Sequence, residues 1–281
     1  MAQDLAGVRR FVGVDLAGTA ERTGVAVITL SCRGAARRAR ATLAGHDFVA
    51  GDEALIALIN DDDVVGLDAP LGWPDGFVDA IVAHRARKPW LSNADEDERV
   101  RDSLRFRRTD LHVRSLKLGS IPLSVSSDLI GVVAMRAALL QSAWAESHSR
   151  EEPRDGRGHI VETYPAAALR KWRLLEPRGA RYKGGPKVSR EREAEARASI
   201  LANIEGRSAT WLDVDEALHR AALRNDHVFD ALICGLVAIA AKAQLTHLPI
   251  TPEDHDAAPR EGWIHVPRGE FEDLAAAVRV L

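Results

Sequence analysis

The chain has 281 residues, of which 46% are hydrophobic, and a formal net charge of -3 at pH 7, which predicts an ordinary globular protein with a sizeable core. It contains no run of eighteen apolar residues and no signal-peptide pattern in "MAQDLAGVRRF", so we expect a cytoplasmic protein without a membrane span. The two cysteines, Cys32 and Cys234, are too few for a disulfide framework or a thiolate zinc site.

The first predicted elements are three strands, a helix and a fourth strand. "RFVGV" and "GVAVITL" are apolar and β-branched, and the polar connection between them is typical of a hairpin. A third strand is predicted around "RATLAGHDFV". "GDEALIALIND" has helical spacing, with Leu55, Leu58 and Ile59 on one side. "DVVGLDAP" is a nearly continuous apolar run, which is typical of a strand buried on both faces.

The middle of the chain is predicted to be an insertion within the domain. From "LGWPDGF" onward, proline, glycine and mixed charge interrupt the pattern, and we assign residues 75–155 to a largely helical insertion. It includes a predicted amphipathic helix, "SSDLIGVVAMRAALLQSAWAESH". The residues expected on one face of this helix are Leu129, Val132, Val133, Leu140 and Trp144.

The last third of the chain is predicted to be mainly helical. "HIVETYP" indicates a strand that ends at Pro165, the expected first residue of the helix "AAALRKWRLL". A helix over "SREREAEARASILANIEG" is expected to stop at Gly206. Asp213 and Glu216 form a capping-box pattern at the start of the next helix.

Two further elements complete the prediction. "DHVFDALICGLVAIAAKA" is apolar on nearly every side, which predicts a buried helix, and "GWIHVP" could form a short edge strand. No linker divides the chain cleanly, so we predict a single domain over residues 1–281.

Acidic residues occupy several positions at which the apolar pattern of the strands and of the last long helix predicts buried side chains. Asp15 and Asp68 end predicted strands, and Asp230 lies inside the buried helix, one turn after Asp226. A charge in apolar company is costly unless it is paired or bound to a cation. Strand ends collect functional groups, and residues four apart share one face of a helix. Hard oxygen ligands of this kind select magnesium or manganese.

Basic and aromatic side chains indicate possible contacts with a substrate. Residues 99–117 and 170–197 are rich in arginine and lysine and could line a path for phosphates, although charge alone favours solvated helix faces and loops. Trp73 in "PLGWP" could stack on a base or pack the loop against the core.

The chain resembles the predicted ribonuclease-H-like nucleases grouped as domain of unknown function 429. The matching stretches, in the order of that family, are "GVDLAGT", "VVGLDAPLGWP", "RRTD", "VETYPAAALRKW", "NDHVFDALICGLVA" and "EGWIHVP". The resemblance implies an α/β, ribonuclease-H-like fold with a mixed five-stranded sheet. In that fold the sheet begins with three antiparallel strands and has helices on both faces. RuvC-type junction resolvases of the same superfamily carry two aspartates on the final helix, usually three residues apart rather than four.

Together, residues and resemblance lead to a hypothesis of two-metal phosphodiester hydrolysis. Asp15 would bridge two Mg²⁺ or Mn²⁺ ions, while Asp68, Asp226 and Asp230 complete the coordination. Glu162 would be a ligand or a partner of one, which makes it the fifth candidate catalytic residue. Arg108 in "RRTD" would grip a phosphate of DNA or RNA bidentately.

Other interpretations remain open at this stage. Asp226 follows Asn225 at a predicted helix start and could simply stabilise the helix end. The opening hairpin also resembles that of ATP-dependent phosphotransferases of the actin-like superfamily, although a second aspartate-glycine-threonine hairpin is absent. A non-catalytic nucleic-acid-binding module is the third alternative.

Overall fold

A computed structural model describes residues 9–33, 36–44, 51–88, 98–119, 121–149, 151–175, 181–184 and 189–281. In these ranges one mixed sheet carries strands from both halves of the chain. The strands are β1 (Arg9–Asp15), β2 (Gly24–Arg33), β3 (Ala36–Leu43), β4 (Val64–Asp68), β5 (Ile160–Glu162) and β6 (Leu212–Val214). Their order across the sheet is β5-β4-β1-β2-β3-β6.

Eleven α-helices are found in the described residues. They are α1 (Asp52–Leu58), α2 (Asp75–Arg85), α3 (Glu98–Arg105), α4 (Arg108–Ser115), α5 (Gly131–Ser147), α6 (Pro165–Lys171), α7 (Arg190–Ser208), α8 (Glu216–Arg224), α9 (Asp226–Lys242), α10 (Pro252–Glu261) and α11 (Leu274–Val280). None of these helices combines the length and the apolar character that crossing a lipid bilayer requires.

The direction of the strands changes within the sheet. β1, β2 and β3 are antiparallel neighbours, whereas β4 runs parallel to β1 and β5 runs parallel to β4. The sheet has six strands rather than the five expected. The extra strand, β6, pairs parallel with β3 at the edge of the sheet. Its three residues are too few to give a periodic pattern in the sequence.

Helices cover both faces of the sheet because successive side chains of each strand point to opposite sides. On one face, Phe11 packs in a core with α6, α7, α8, α9 and α11. On the other, Val12 and Val14 pack with residues of α1 and α5. The near-continuous apolar runs of β1 and β4 follow from this burial on both faces.

The buried helix α9 lies directly on the strands at three glycines. A Cβ atom on Gly13 would stand 1.8 Å from the carbonyl oxygen of Ala231, and one on Gly66 would stand 2.2 Å from that of Cys234. A Cβ on Gly24 would stand 2.2 Å from the carbonyl oxygen of His227. Only glycine allows this close approach of helix and sheet. It brings the first turns of α9 to the ends of β1 and β4.

Several predicted helix ends were wrong. α7 continues through Gly206 to Ser208, since one glycine costs a helix only about 1 kcal/mol. Asp213 pairs within β6, and Asp215 is the residue that caps α8, by accepting a hydrogen bond from the backbone of Ala217. Pro165 is the first residue of α6, as predicted.

The predicted apolar face of α5 was wrong in part. The helix begins only at Gly131, so that Leu129 lies before it and is 94% exposed, and Val132 is exposed as well. Leu140 and Trp144 are buried, as expected. Residues 75–155 hold α2 to α5 in their described parts, which agrees with the expected helical character.

Two strand predictions also need correction. "GWIHVP" forms only isolated bridges, in which Ile264 pairs with Glu162 and Pro267 pairs with Thr246. The third strand ends at Leu43, and residues 45–49 of the predicted stretch lie outside the described residues.

Candidate metal centre

Two aspartates end neighbouring strands of the sheet. Asp15 is the last residue of β1 and Asp68 is the last residue of β4. The parallel register of these strands places the two residues directly opposite each other. The carboxyl ends of parallel strands are where open α/β sheets collect functional groups.

The third member of the group, Asp230, comes from α9. Asp15, Asp68 and Asp230 each offer one carboxylate oxygen, and these oxygens all lie within 4.8 Å of one another. Asp15 and Asp230 are buried, and Asp68 is half-buried. No other set of three acidic, histidine or cysteine residues in the described parts of the chain converges in this way. We call these three residues the acidic group.

Electrostatic repulsion within the acidic group is strong. Burial, followed by the neighbouring Asp15, raises the pKa of Asp68 well above its ordinary value. Burial also raises the pKa of Asp230 to about 6, although Lys183 opposes this shift. A divalent cation would relieve both effects, and three carboxylate oxygens are the ligands that Mg²⁺ and Mn²⁺ prefer.

Two basic side chains already contact the acidic group. The Nζ atom of Lys183 donates to Oδ2 of Asp230 at 2.5 Å, and Nδ1 of His227 lies 2.7 Å from Oδ2 of Asp15. The hydrogen bond with Asp15 is the main cause of a raised pKa at His227. In contrast, Oδ1 of Asp230 is buried without a hydrogen bond of normal geometry to any described residue, although the Tyr182 hydroxyl interacts with this carboxylate. Such an orphaned oxygen suits a cation ligand.

Protons are expected to compete with a cation for Asp230. Because folding raises the pKa of this group, the stability linked to it is present below its ordinary value of 3.8 and is lost as the pH rises through about 6. We therefore expect the affinity for Mn²⁺, measured by calorimetry, to fall about tenfold for each pH unit below about 6. An affinity that stays constant from about pH 7.5 to about pH 5 would contradict this competition.

Asp226 is the predicted ligand that the structure does not bring into the acidic group. It is the first residue of α9, and the side chain of Asn225 caps the helix by accepting a hydrogen bond from the backbone of His227. Asp226 and Asp230 are four residues apart, which is about 6 Å along the helix axis. Asp230 therefore reaches the ends of β1 and β4, whereas Asp226 does not. Its position favours stabilisation of the helix end over metal binding.

Glu162 is also outside the acidic group, and it is buried in an ion pair. Its oxygens accept hydrogen bonds from Arg107 at 2.7 and 2.8 Å, and one of them also accepts from the backbone of Leu71 at 3.1 Å. Arg107 bonds Asp110 as well, at 2.9 Å. Burial raises the pKa of Glu162, and Arg107 opposes that shift. Glu162 therefore serves as a partner of Arg107 rather than as a ligand in the group.

The two predicted substrate contacts have different surroundings from those expected. Arg108 donates from Nε to Oδ1 of Asp254 at 2.5 Å, and its backbone donates to Glu261 at 2.7 Å. This pairing ties Arg108 to α10, and its contact with a phosphate stays a prediction. Trp73 is half-buried in the turn between β4 and α2. Its role in base stacking stays a prediction.

The acidic group borders a cleft of about 770 Å³, whose lining includes Asp68 and Lys183. A neighbouring pocket of about 500 Å³ shares Lys183 and adds Arg170 and Arg181. These residues belong to the second basic stretch of the sequence, of which residues 176–180 and 185–188 lie outside the described ones. Positive charge therefore stands next to the acidic group.

Sequence reasoning missed the contacts of three of these residues. Lys183 is one of many basic residues in its stretch, His227 follows a predicted helix start without a pattern of its own, and Arg107 stands beside Arg108 in the same motif. In the "RRTD" motif it is the first arginine, Arg107, that is buried.

Comparison with known proteins identifies the family. A family profile described as "Protein of unknown function (DUF429)" matches residues 13–254, a range that includes Asp15, Asp68 and Asp230. None of the curated proteins and none of the solved structures matches the chain significantly. Since the profile covers most of its length, the chain belongs to the DUF429 family.

Proposed function

We propose that this protein is a divalent-cation-dependent nuclease that hydrolyses phosphodiester bonds in nucleic acid. The observation that carries the proposal is the convergence of Asp15, Asp68 and Asp230 from two strand ends and a buried helix. Mg²⁺ or Mn²⁺ would be held by these three carboxylates.

The sheet supports a ribonuclease-H-like fold as part of this proposal. Its first three strands are antiparallel neighbours, the next two run parallel to β1, and helices cover both faces. These features are those that the resemblance implies, with β6 added beyond the expected five strands. Fold alone does not determine function, so the nuclease proposal depends on the acidic group.

The donor set fits a hard divalent cation. The buried Oδ1 of Asp230 makes no hydrogen bond of normal geometry to a described residue, and the close carboxylates repel one another without a cation. A bound Mg²⁺ or Mn²⁺ lowers the pKa of water and stabilises negative charge on a phosphoryl oxygen. Hydrolysis adds that water across a P–O bond and yields a phosphomonoester and an alcohol.

The surrounding side chains support an anionic substrate. His227 fixes one oxygen of Asp15, so that the orientation of this carboxylate is set before substrate binds. Lys183, Arg170 and Arg181 border the adjoining pocket and would attract the phosphates of a nucleic-acid strand. An acidic group without such neighbours would repel a polyanion.

The test is a titration of the full chain with MgCl₂, MnCl₂ and ATP by calorimetry, followed by cleavage assays. We expect cation binding without ATP binding, together with cation-dependent cleavage that EDTA stops. Labelled single-stranded DNA, duplex DNA, a branched junction and RNA would identify the substrate class. Binding of ATP without cleavage would favour a phosphotransferase, and binding of neither cation nor ATP would favour a non-catalytic module.

A further inference from the structure

The acidic group has few oxygens left for more than one cation. A two-ion site needs a carboxylate that bridges both ions and further oxygens around them. Here Oδ2 of Asp15 is bonded to His227 and Oδ2 of Asp230 is bonded to Lys183. Asp226, which was expected to add a fourth carboxylate, is not in the group. Four carboxylate oxygens of the group are left, and the three residues converge with one oxygen each, which suits one ion.

A positive charge already stands beside the acidic group. The ammonium of Lys183 lies 2.5 Å from Asp230, yet the side chain is 39% exposed and lines the cleft together with Asp68. Lys183 thus reaches the buried aspartate from the side where a substrate would enter. It also lines the pocket of Arg170 and Arg181, so a phosphate bound there would meet its ammonium.

The charges balance with a single divalent ion. When fully ionised, the three carboxylates carry three negative charges, which one divalent cation and the Lys183 ammonium would neutralise. A second divalent ion would leave two positive charges in excess at residues that are largely buried, and uncompensated buried charge is costly. The buried Oδ1 of Asp230, which makes no hydrogen bond of normal geometry to a described residue, would be one of the oxygens that hold this ion.

We propose that the acidic group binds one divalent cation, and that the ammonium of Lys183 takes the place of a second one by contacting the substrate phosphate. The phosphate contact rests on the proposed nuclease function. The number of ions does not, because it is a property of the protein without substrate.

The first experiment counts ions on the wild-type protein. Mn²⁺ is titrated into the full chain and free Mn²⁺ is followed by electron paramagnetic resonance, with calorimetry as a second measure. We expect one Mn²⁺ per chain. Two ions per chain would overturn the inference and leave the nuclease proposal standing, whereas no ion would overturn both.

The second experiment removes the ammonium. We expect Lys183→Met to bind a second Mn²⁺, because Oδ2 of Asp230 becomes available, and to lose about 10²-fold in kcat/KM for cleavage. Lys183→Arg should keep one ion and recover part of the activity. Arg181→Met, on the same segment, should leave the ion count at one.

Two results would contradict the role of Lys183. One is a Lys183→Met protein that still binds one ion and cleaves at the wild-type rate. The other is an equal ion count in Lys183→Met and Arg181→Met. Melting curves of each variant check folding, and if Lys183→Met does not fold, the wild-type ion count alone decides the inference.

Discussion

Replacing Asp15 by asparagine is expected to abolish cation-dependent cleavage and, at the same time, to raise the melting temperature of the cation-free protein. The carboxylate is one of three that would hold the cation, and a cation is worth several kcal/mol to the transition state, so the rate should fall at least about 10³-fold. Asparagine can still accept the hydrogen bond from His227. The local structure should therefore remain.

The opposite effect on stability follows from repulsion between the carboxylates. Asp15 is one cause of the raised pKa of Asp68, so a neutral side chain at position 15 removes an unfavourable interaction. We expect the melting temperature without cation to rise by about 2–4 °C, the shift given by ~1 kcal/mol in a chain of this size. The measurement belongs at alkaline pH, because the hydrogen bond with Asp15 raises the pKa of His227.

Asp226→Asn is the matched control for Asp15→Asn. It makes the same chemical change at the start of α9, outside the acidic group, and should keep cation binding and cleavage within about twofold of wild type. Unchanged cleavage by Asp15→Asn would remove the acidic group from the mechanism. Equal loss in both variants would show that Asp226 contributes to the site after all.

Arg107→Met is expected to lower the free energy of unfolding by about 3–5 kcal/mol. Arg107, Asp110 and Glu162 are all buried, and the guanidinium bonds both carboxylates. Burial alone would lower the pKa of Arg107, but the two carboxylates raise it above its ordinary value, so the side chain stays charged. Methionine fills similar volume without charge and would leave two buried carboxylates uncompensated.

Arg108→Met provides the comparison for this change. Arg108 is the next residue and its side chain is 42% exposed in its pair with Asp254, so its loss should cost about 1 kcal/mol or less. Urea denaturation followed by circular dichroism measures both. A cost for Arg107→Met that is no larger than that for Arg108→Met would contradict a structural role for the buried network.

Much of the fold could be predicted from local patterns. Apolar, β-branched runs predicted β1, β2 and β4, and apolar residues on all sides predicted the buried helix α9. Proline at the first position of α6 gave that helix its start. The residues that predict such a strand or helix lie within a few positions of one another in the sequence, because these elements form between neighbouring residues. The short strand β6 has no such local signal, because it forms only by pairing with β3, which is far away in sequence.

The candidate site could be predicted only in part. Asp15, Asp68 and Asp230 stand out because a charge interrupts an apolar run, and that signal is local. Asp226 carries the same chemistry one turn away, and the sequence pattern treats the two helix positions alike. Only the contact of α9 with the sheet decides between them.

The amino-acid sequence by itself determined the strands β1, β2 and β4, the buried helix α9, and which acidic residues are costly to bury. Only the tertiary structure decided that Asp230 joins the acidic group while Asp226 does not, that Arg107 rather than Arg108 is buried with Glu162, and that Lys183 reaches Asp230. The reason is physical. Helix and strand preferences act between neighbours in the chain, whereas ligand sets and ion pairs depend on distances between residues far apart in sequence, which close packing at glycines such as Gly13 sets.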